Sequence, residues 1–318
     1  MQKLFPALTG LNIRGSNVMP MAVVPQVFLG GSAQHLRLCN LVDVEFPGIW
    51  KLLLTTNHLV TLHLWDIPHS MYILPEGMAT CLSTMPSLES LSIGFQSPES
   101  PHNWPDQPNQ RLTCVVLPSL TDFQVQIISK YIKDFVSWIN VPLLDMVNIN
   151  FFDEPMFNIP QLHNFLARIE KFKAHCWGAV TFWGYAIEFQ LELGFLSFAI
   201  LCDMIAQQLL SMAQLCGSSL PLPSALKHLD IHKGLPVLGQ QDTLGDPQWL
   251  DFLHLFTGLR DLHLGKRVAI HYAYALQELA WERVTEVLPA LQNLFIEGLK
   301  SLEPAGPTQE ALGKFVTA

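Results

Sequence analysis

The sequence has few charged residues for its length, and this scarcity excludes several classes of protein. Lys, Arg, Asp and Glu make up 14% of its 318 residues, whereas apolar residues make up 49%. An ordinary soluble domain has about 25% charged residues. A chain this apolar is not intrinsically disordered. Its 18 Lys and Arg residues are outnumbered by 27 Asp and Glu residues, for a net charge of -9. That balance predicts no nucleic-acid partner, because such partners are held through their phosphates by basic residues.

Cysteines and long apolar runs are also sparse. None of the six cysteines forms a Cys-x-x-Cys pair, which argues against a disulfide framework and a zinc ribbon. We expect them to be small buried residues in a reducing compartment, the cytoplasm or the nucleus. The most apolar stretch, Leu193 to Cys202, is shorter than the roughly 20 residues that span a bilayer. We interpret it as the approach to a buried helix and predict no membrane partner.

Sequence motifs that carry catalysis are missing as well. The chain has no metalloprotease, serine-hydrolase, P-loop, dinucleotide-binding or kinase motif. The sequence therefore predicts a protein that is not an enzyme, with no cofactor, no catalytic residue and no resident metal ion. A Cys–His pair assembled by the fold is the enzymatic alternative that remains open.

Leucine, by contrast, is abundant, with 52 residues, and its spacing reveals a repeat. A phrase recurs in which Leu is followed by two residues, a second Leu or its equivalent, one residue, and Leu or Ile. The first leucines of the eight clear copies are Leu8, Leu59, Leu88, Leu120, Leu144, Leu226, Leu259 and Leu291. Within the two runs Leu59 to Leu144 and Leu226 to Leu291, successive copies are 24 to 33 residues apart, around the upper end of the range of about 20–29 for leucine-rich repeats. Weaker copies are Leu36–Leu38, Ile169–Ala174 and Ile187–Leu191.

Apolar residues spaced as on one face of a helix lie between the copies. The stripes are Ile49/Leu52/Leu53/Thr56, Met78/Cys81/Leu82/Met85, Ile132/Phe135/Val136/Ile139, Leu162/Phe165/Leu166/Ile169 and Trp249/Phe252/Leu253/Phe256. A strand followed by such a helix cannot close a core alone, so neighbouring units stack. The predicted fold class is α/β, a leucine-rich-repeat solenoid with a concave parallel β-sheet and helices on the convex side.

We predict one domain over residues 1–318. Pro- and Gly-rich sequence predicts irregular loops at about 96–110 and 233–247. The repeats from about 169 to 222 are degenerate. Between about Ala174 and Leu222 we expect one strand and a long helix whose buried stripe is Cys202, Ile205, Leu209, Met212 and Cys216.

Side chains between the leucines would point away from the core, because strand side chains alternate. We predict that they line the concave face and bind a protein. The candidate residues are Thr61, His63, Trp65, Asp122, Gln124, Asn148, Asn150, His228, Asp230, His232, Asp261, His263, Phe295 and Glu297. Trp65 and Phe295 are the favoured anchors, since large aromatic residues on an open face are typical of binding sites. The alternative is that these are solvated sheet positions and that the two rings pack on neighbouring side chains.

The histidines of this set also allow a metal site to be considered. Aligned copies place His228 opposite Asp261 and Asp230 opposite His263. Two cross-strand charge pairs explain this pattern, and we favour them over zinc, which needs a closed ligand geometry and supporting residues.

Three segments carry a family resemblance. The segments His58–Ile93, Pro142–Phe152 and Thr285–Ala318 resemble the leucine-rich-repeat region of F-box-like proteins of mushroom-forming fungi, and the resemblance runs over nearly the full chain. It implies the substrate-recognition part of an F-box-type cullin ubiquitin ligase. In such a protein an F-box docks on the ligase adaptor and the repeats present a protein substrate.

The F-box pattern itself, Leu-Pro-x-Glu before an apolar helix, is absent here, since the chain opens on a repeat at Phe5 to Leu8. We therefore expect a part of a longer product, with the ligase adaptor as a partner only if an upstream F-box exists. The alternative is a stand-alone leucine-rich-repeat binding protein with no ligase role.

Overall fold

A computed structural model of the chain divides it into two compact units, Met1–Phe152 and Asp153–Ala318, called here the N-terminal and C-terminal units. The residues that the structure describes are 7–15, 22–26, 28–31, 33–96, 114–152, 160–169, 177–183, 186–191, 196–201, 212–214, 216, 225–233, 248–265 and 287–297. The prediction of a single domain stays a prediction. The loops predicted at 96–110 and 233–247 lie, beyond their first residues, outside the described residues.

The N-terminal unit is a parallel sheet with helices. Its strands are β1 (Gly10–Arg14), β2 (Ala22–Val23), β3 (Leu38–Val42), β4 (Val44–Glu45), β5 (Thr61–Ile67), β6 (Ser90–Phe95), β7 (Val115–Val116), β8 (Asp122–Ile127), β9 (Ile139–Asn140) and β10 (Met146–Phe151). Strands β1, β3, β5, β6, β8 and β10 pair in that order, all in parallel. The short strands pair as β2 with β4 and β7 with β9. The described helices are α1 (Ile49–Leu53), α2 (Pro75–Leu82) and α3 (Ser129–Trp138), with 3-10 turns at Phe28–Gly31 and His69–Met71.

The leucine phrase builds these strands as the sequence predicts. In β8 every second residue is buried, so that Phe123, Val125 and Ile127 face the core while the residues between them stay partly exposed. The first leucines of most copies, such as Leu59 and Leu88, precede their strands and are fully buried, whereas Leu8 before β1 is only partly buried. Burial of such a side chain is worth about 1.5–3 kcal/mol. The leucine before the strand and the buried residues within the strand therefore both hold the copy in place.

The predicted helix stripes also lie in the core. Every residue predicted for the stripes of α1, α2 and α3 is buried, including the polar Thr56. The Thr56 hydroxyl donates to the Leu53 carbonyl at 2.9 Å, which satisfies a polar group that would otherwise be costly to bury. The α/β class with a mostly parallel sheet is therefore confirmed.

The C-terminal unit combines parallel and antiparallel strands. These are β11 (Trp177–Trp183), β12 (Ala186–Leu191), β13 (Leu196–Leu201), β14 (His228–Lys233), β15 (Asp261–Leu264) and β16 (Asn293–Ile296). Strands β11, β14, β15 and β16 pair in parallel, whereas β12 pairs antiparallel with both β11 and β13. The described helices are α4 (Pro160–Ala167) and α5 (Gln248–Leu253).

The expectation of a single strand between about 174 and 222 is wrong, whereas the long helix expected there lies largely outside the described residues. Three strands, β11 to β13, occupy the first half of this segment, and the stretch interpreted as the approach to a helix contains β13. The physical reason is the alternation of the sequence: in β12 every second residue is buried from Ile187 onward, which is the period of a strand. The weak copy Ile187–Leu191 lies in β12 and runs antiparallel, so it is not a repeat strand. Of the predicted helix stripe, Met212 and Cys216 are buried in helical conformation, and the rest lies outside the described residues.

The structure changes the alignment of another weak copy, Leu36–Leu38. Leu38 is 42% exposed, and the core positions of β3 are taken by Cys39 and Leu41. The phrase therefore starts at Leu36 with a cysteine in place of its second leucine. Of the copy Ile169–Ala174, Ile169 follows helix α4, and the remainder lies outside the described residues.

The described cysteines are all free. Cys39, Cys81 and Cys216 are buried as predicted, but Cys114 is exposed, which corrects the expectation that every cysteine is buried. Burial raises the pKa of Cys39 to about 12 and that of Cys81 to about 11, so both thiols stay protonated at neutral pH and are weak nucleophiles. Among the residues described, no helix is long and apolar enough to cross a membrane.

Candidate binding face

The residues between the buried positions of the strands form one polar face in each unit. In the N-terminal unit Asp122 lies opposite Ser90 and Met146, and Gln124 lies opposite Ser92 and Asn148. The predicted candidates of this unit, Thr61, His63, Trp65, Asp122, Gln124, Asn148 and Asn150, all lie partly exposed on its polar face. Their placement follows the prediction, and their binding role stays a prediction.

Trp65 lies flat on this face. Its indole stacks on His63 with ring centroids 5.6 Å apart and an interplanar angle of 13°. A Cβ atom added at Gly94 would lie 2.8 Å from the Trp65 Cδ2 atom, so the ring occupies the space that any other residue at 94 would fill. A register shift between Leu64 and Ile67 places Trp65 at an irregular point of β5. Packing on neighbours, the alternative considered for Trp65, therefore accounts for its position.

His63 is held in its neutral form. Burial lowers the pKa of its imidazole, and the Arg14 guanidinium lowers the pKa further, while Asp66 acts in the opposite direction. A neutral imidazole offers one donor and one acceptor. His63 can therefore hydrogen-bond to a partner without adding charge to the face.

Hydroxyl groups link the neighbouring strands of the N-terminal polar face. Ser90 Oγ donates to Asp122 Oδ2 at 3.0 Å, and Ser92 Oγ donates to Gln124 Oε1 at 3.4 Å. The side-chain oxygens of Asn40 and Asn148 are buried without a hydrogen-bond partner among the described residues. A buried acceptor without a hydrogen bond costs free energy, so these two amides reduce the stability of the sheet.

The C-terminal polar face carries the predicted histidine–aspartate pairs. The registers of His228 with Asp261 and of Asp230 with His263 are confirmed. His228 Nδ1 lies 2.6 Å from Asp261 Oδ2. The other carboxylate oxygen of Asp261, Oδ1, accepts from Asn293 Nδ2 at 2.6 Å. His263 Nδ1 lies 4.0 Å from Asp230 Oδ1, so the second pair is looser.

Phe295 is the most exposed aromatic residue among the predicted candidates. Its side chain is 46% exposed, and its ring stacks on His263 with centroids 4.1 Å apart and an interplanar angle of 22°. On the same face, a Cβ atom added at Gly265 would lie 3.1 Å from His232 Nδ1. Glu297 follows β16 and is exposed. Three adjacent strands thus bring these predicted residues together.

Glu188 is a polar-face residue that the sequence prediction missed. It faces Thr181, which in turn lies opposite His232. Its carboxylate accepts from Gln190 Nε2 at 2.7 Å, from Ser197 Oγ at 3.0 Å and from Trp183 Nε1 at 3.4 Å. The leucine phrase is absent from β12 and β13, but the alternation of their sequences could have revealed them. Asn40 was missed for a different reason, the misaligned copy in β3.

No group of three or more His, Cys, Asp or Glu side chains is arranged to hold a metal ion among the residues that the structure describes. The histidine and aspartate contacts reported above are those of cross-strand pairs. That the chain is not an enzyme and needs no cofactor stays a prediction.

No model of a known protein family matches the chain, and neither a curated protein nor a solved structure matches it.

Substitution of Gly94 tests the contact with Trp65. Gly94→Ala would drive its methyl group into the indole, and such overpacking costs about 1–3 kcal/mol. Gly10→Ala is the matched control, because no described atom lies within 4 Å of its added Cβ, and we expect its stability to stay within about 1 kcal/mol of the wild type. Chemical denaturation measures both, and equal stability of the two variants would contradict the packing described.

The pKa of His63 makes stability depend on pH. Because its folded-state pKa is held below 6.5, the unfolded chain takes up this proton first, and stability falls as the pH drops through that window. Arg14→Gln should raise the pKa of His63 and reduce the loss. NMR titration of the imidazole, with denaturation at neutral and mildly acidic pH, measures both effects.

Lys51→Gln is the control for the Arg14 variant, since it removes a like charge from helix α1. An equal shift of the His63 titration in the two variants would refute the role of Arg14.

Proposed function

We propose that the chain is a protein-interaction module of the leucine-rich-repeat type that binds a protein partner through the polar faces of its sheets. The observation that carries this proposal is the half-exposed ring of Phe295, stacked on His263 among aspartates that are already paired. An aromatic anchor surrounded by fixed polar groups is typical of the centre of a protein interface. Groups that are held before binding lose less conformational freedom when the partner arrives.

The solenoid is part of this proposal. Its support is the series of parallel strands, most of them preceded by a buried leucine such as Leu120 or Leu259, with buried helix stripes between them. In a solenoid of this kind the polar faces belong to a concave sheet and the helices to the convex side. Extended concave surfaces of repeat proteins commonly bind other proteins.

The ligase role is the more specific form of the proposal. The resemblance to F-box-like proteins of mushroom-forming fungi supports a substrate receptor of a cullin ubiquitin ligase, acting in the cytoplasm or the nucleus. In that role the polar faces hold the protein substrate, and the adaptor is a partner only if the native gene encodes an F-box upstream. A binding module without a ligase role is the alternative.

Removal of the Phe295 ring tests the binding face. Phe295→Ala should weaken capture of the main prey from a lysate of the native organism by at least about tenfold, because aromatic hot spots contribute that much or more. Trp50→Ala is the matched control, since Trp50 is 47% exposed but lies on helix α1. Quantitative mass spectrometry compares both variants with the wild type, and undiminished prey in Phe295→Ala would reject this face.

The ligase role is tested with the product of the native gene. We expect the full-length product to co-purify with the cullin-ligase adaptor, and we expect the 318-residue chain alone not to do so, because the resemblance assigns docking to the F-box. If the full-length product does not bind the adaptor, the ligase role is rejected while the binding face can still stand.

A further inference from the structure

A groove of about 730 Å³ runs along the ends at which the strands of the N-terminal unit begin. Its polar lining is Thr9, His35, Arg37, His58 and Ser87. These side chains are exposed, so the groove is open to solvent. Its volume falls within the range of about 300–1,000 Å³ typical of ligand sites.

The leucine phrase brings these residues together. His35, His58 and Ser87 each directly precede the first leucine of a copy, and Arg37 directly follows Leu36. The register of β3 with β5 pairs Leu38 with Thr61, and the same offset brings His35 beside His58. Adjacent strands lie about 4.8 Å apart, which brings the two imidazoles within reach of one small ligand.

Backbone hydrogen bonds hold the floor of the groove. The Thr9 carbonyl accepts from Arg37 N at 2.7 Å and from Leu38 N at 3.1 Å. The Arg37 carbonyl accepts in the same way from Val60 N at 2.8 Å and from Thr61 N at 3.0 Å. Each copy is thereby fastened to the next at this level, so the backbone that carries these side chains is positioned before any ligand binds.

The groove is cationic on a chain whose net charge is -9. Among the described residues that line it, none is acidic, and Arg37 forms no ion pair with a described residue. Val60 and Glu89 occupy the positions equivalent to Arg37 in the next two copies. Glu89 is therefore two strand spacings, or roughly 10 Å, from Arg37. The guanidinium is therefore free to bind an anion from solution.

We infer that this groove binds a phosphate group. Arg37 presents up to five N–H donors in a planar fork suited to phosphate. His35 and His58 add imidazole donors, and Thr9 and Ser87 add hydroxyl donors. A phosphate monoester has three charged or acceptor oxygens to meet them, whereas a carboxylate has two. The inference goes beyond the proposed function and does not depend on Phe295.

The test uses the full chain and two probes, inorganic phosphate and a short Gly- and Ser-based peptide carrying one phosphoserine. Calorimetry gives the affinities, and NMR follows the imidazoles of His35 and His58. We expect saturable binding that shifts both imidazoles, with Arg37→Gln weakening it by about tenfold or more. Arg260→Gln is the matched control, because Arg260 directly follows the first leucine of another copy, in the C-terminal unit. We expect it to change the affinity by less than about twofold.

The two probes also distinguish the source of the phosphate. Tighter binding of the phosphopeptide than of inorganic phosphate would identify a phosphorylated protein, and equal binding would identify a small phosphate ester. The inference is overturned if neither probe shifts the two imidazoles, if the unphosphorylated peptide binds as well as the phosphopeptide, or if Arg37→Gln binds like the wild type. Thermal unfolding of each variant checks that the fold is retained, and the imidazole shifts in the wild type test the groove without any substitution.

Discussion

Burial of the leucine phrase on one side of each strand is the constraint on which the rest of the structure depends. Strand side chains alternate, so a slip of one residue would exchange the core with the outer surface. The buried leucine before most of the parallel strands, for example Leu59 before β5, fixes where that alternation starts. Once the register is set in this way, the identity of every outward-facing residue follows.

The chemistry of both polar faces is a consequence of that register. His228 meets Asp261 because the leucines of β14 and β15 are aligned, and Phe295 reaches His263 for the same reason. Trp65 settles on Gly94 because the residue beside it on the sheet has no side chain. The cationic groove arises from the same repeat, from residues that lie just before the strands begin. The side chains of the polar faces are thus held by regular secondary structure, which positions them more rigidly than loops do.

The sequence predicts those parts of the molecule in which leucine itself carries the pattern. The helix stripes and the opposed pairs of β14 and β15 follow from spacing alone. The antiparallel strands β11 to β13 do not, because their buried positions hold Phe, Val and Ile at a period of two without the phrase. Cys39 in the place of a leucine hides the alignment of β3. The packing of Trp65 over Gly94 and the grouping of His35 with His58 both depend on residues from different copies, and a single copy gives no sign of them.

The paired reversal in the C-terminal unit constrains how the chain can change in evolution. Strand β12 runs against β11 and β13, so two changes of direction bring the backbone back to the orientation in which β14 to β16 continue. Because β13 and β14 run in the same direction, loss of one of these strands alone would invert β14 to β16 unless the connection into β14 also changed ends of the sheet. Gene rearrangements here should therefore remove or add strands two at a time, while the purely parallel copies can be gained or lost singly.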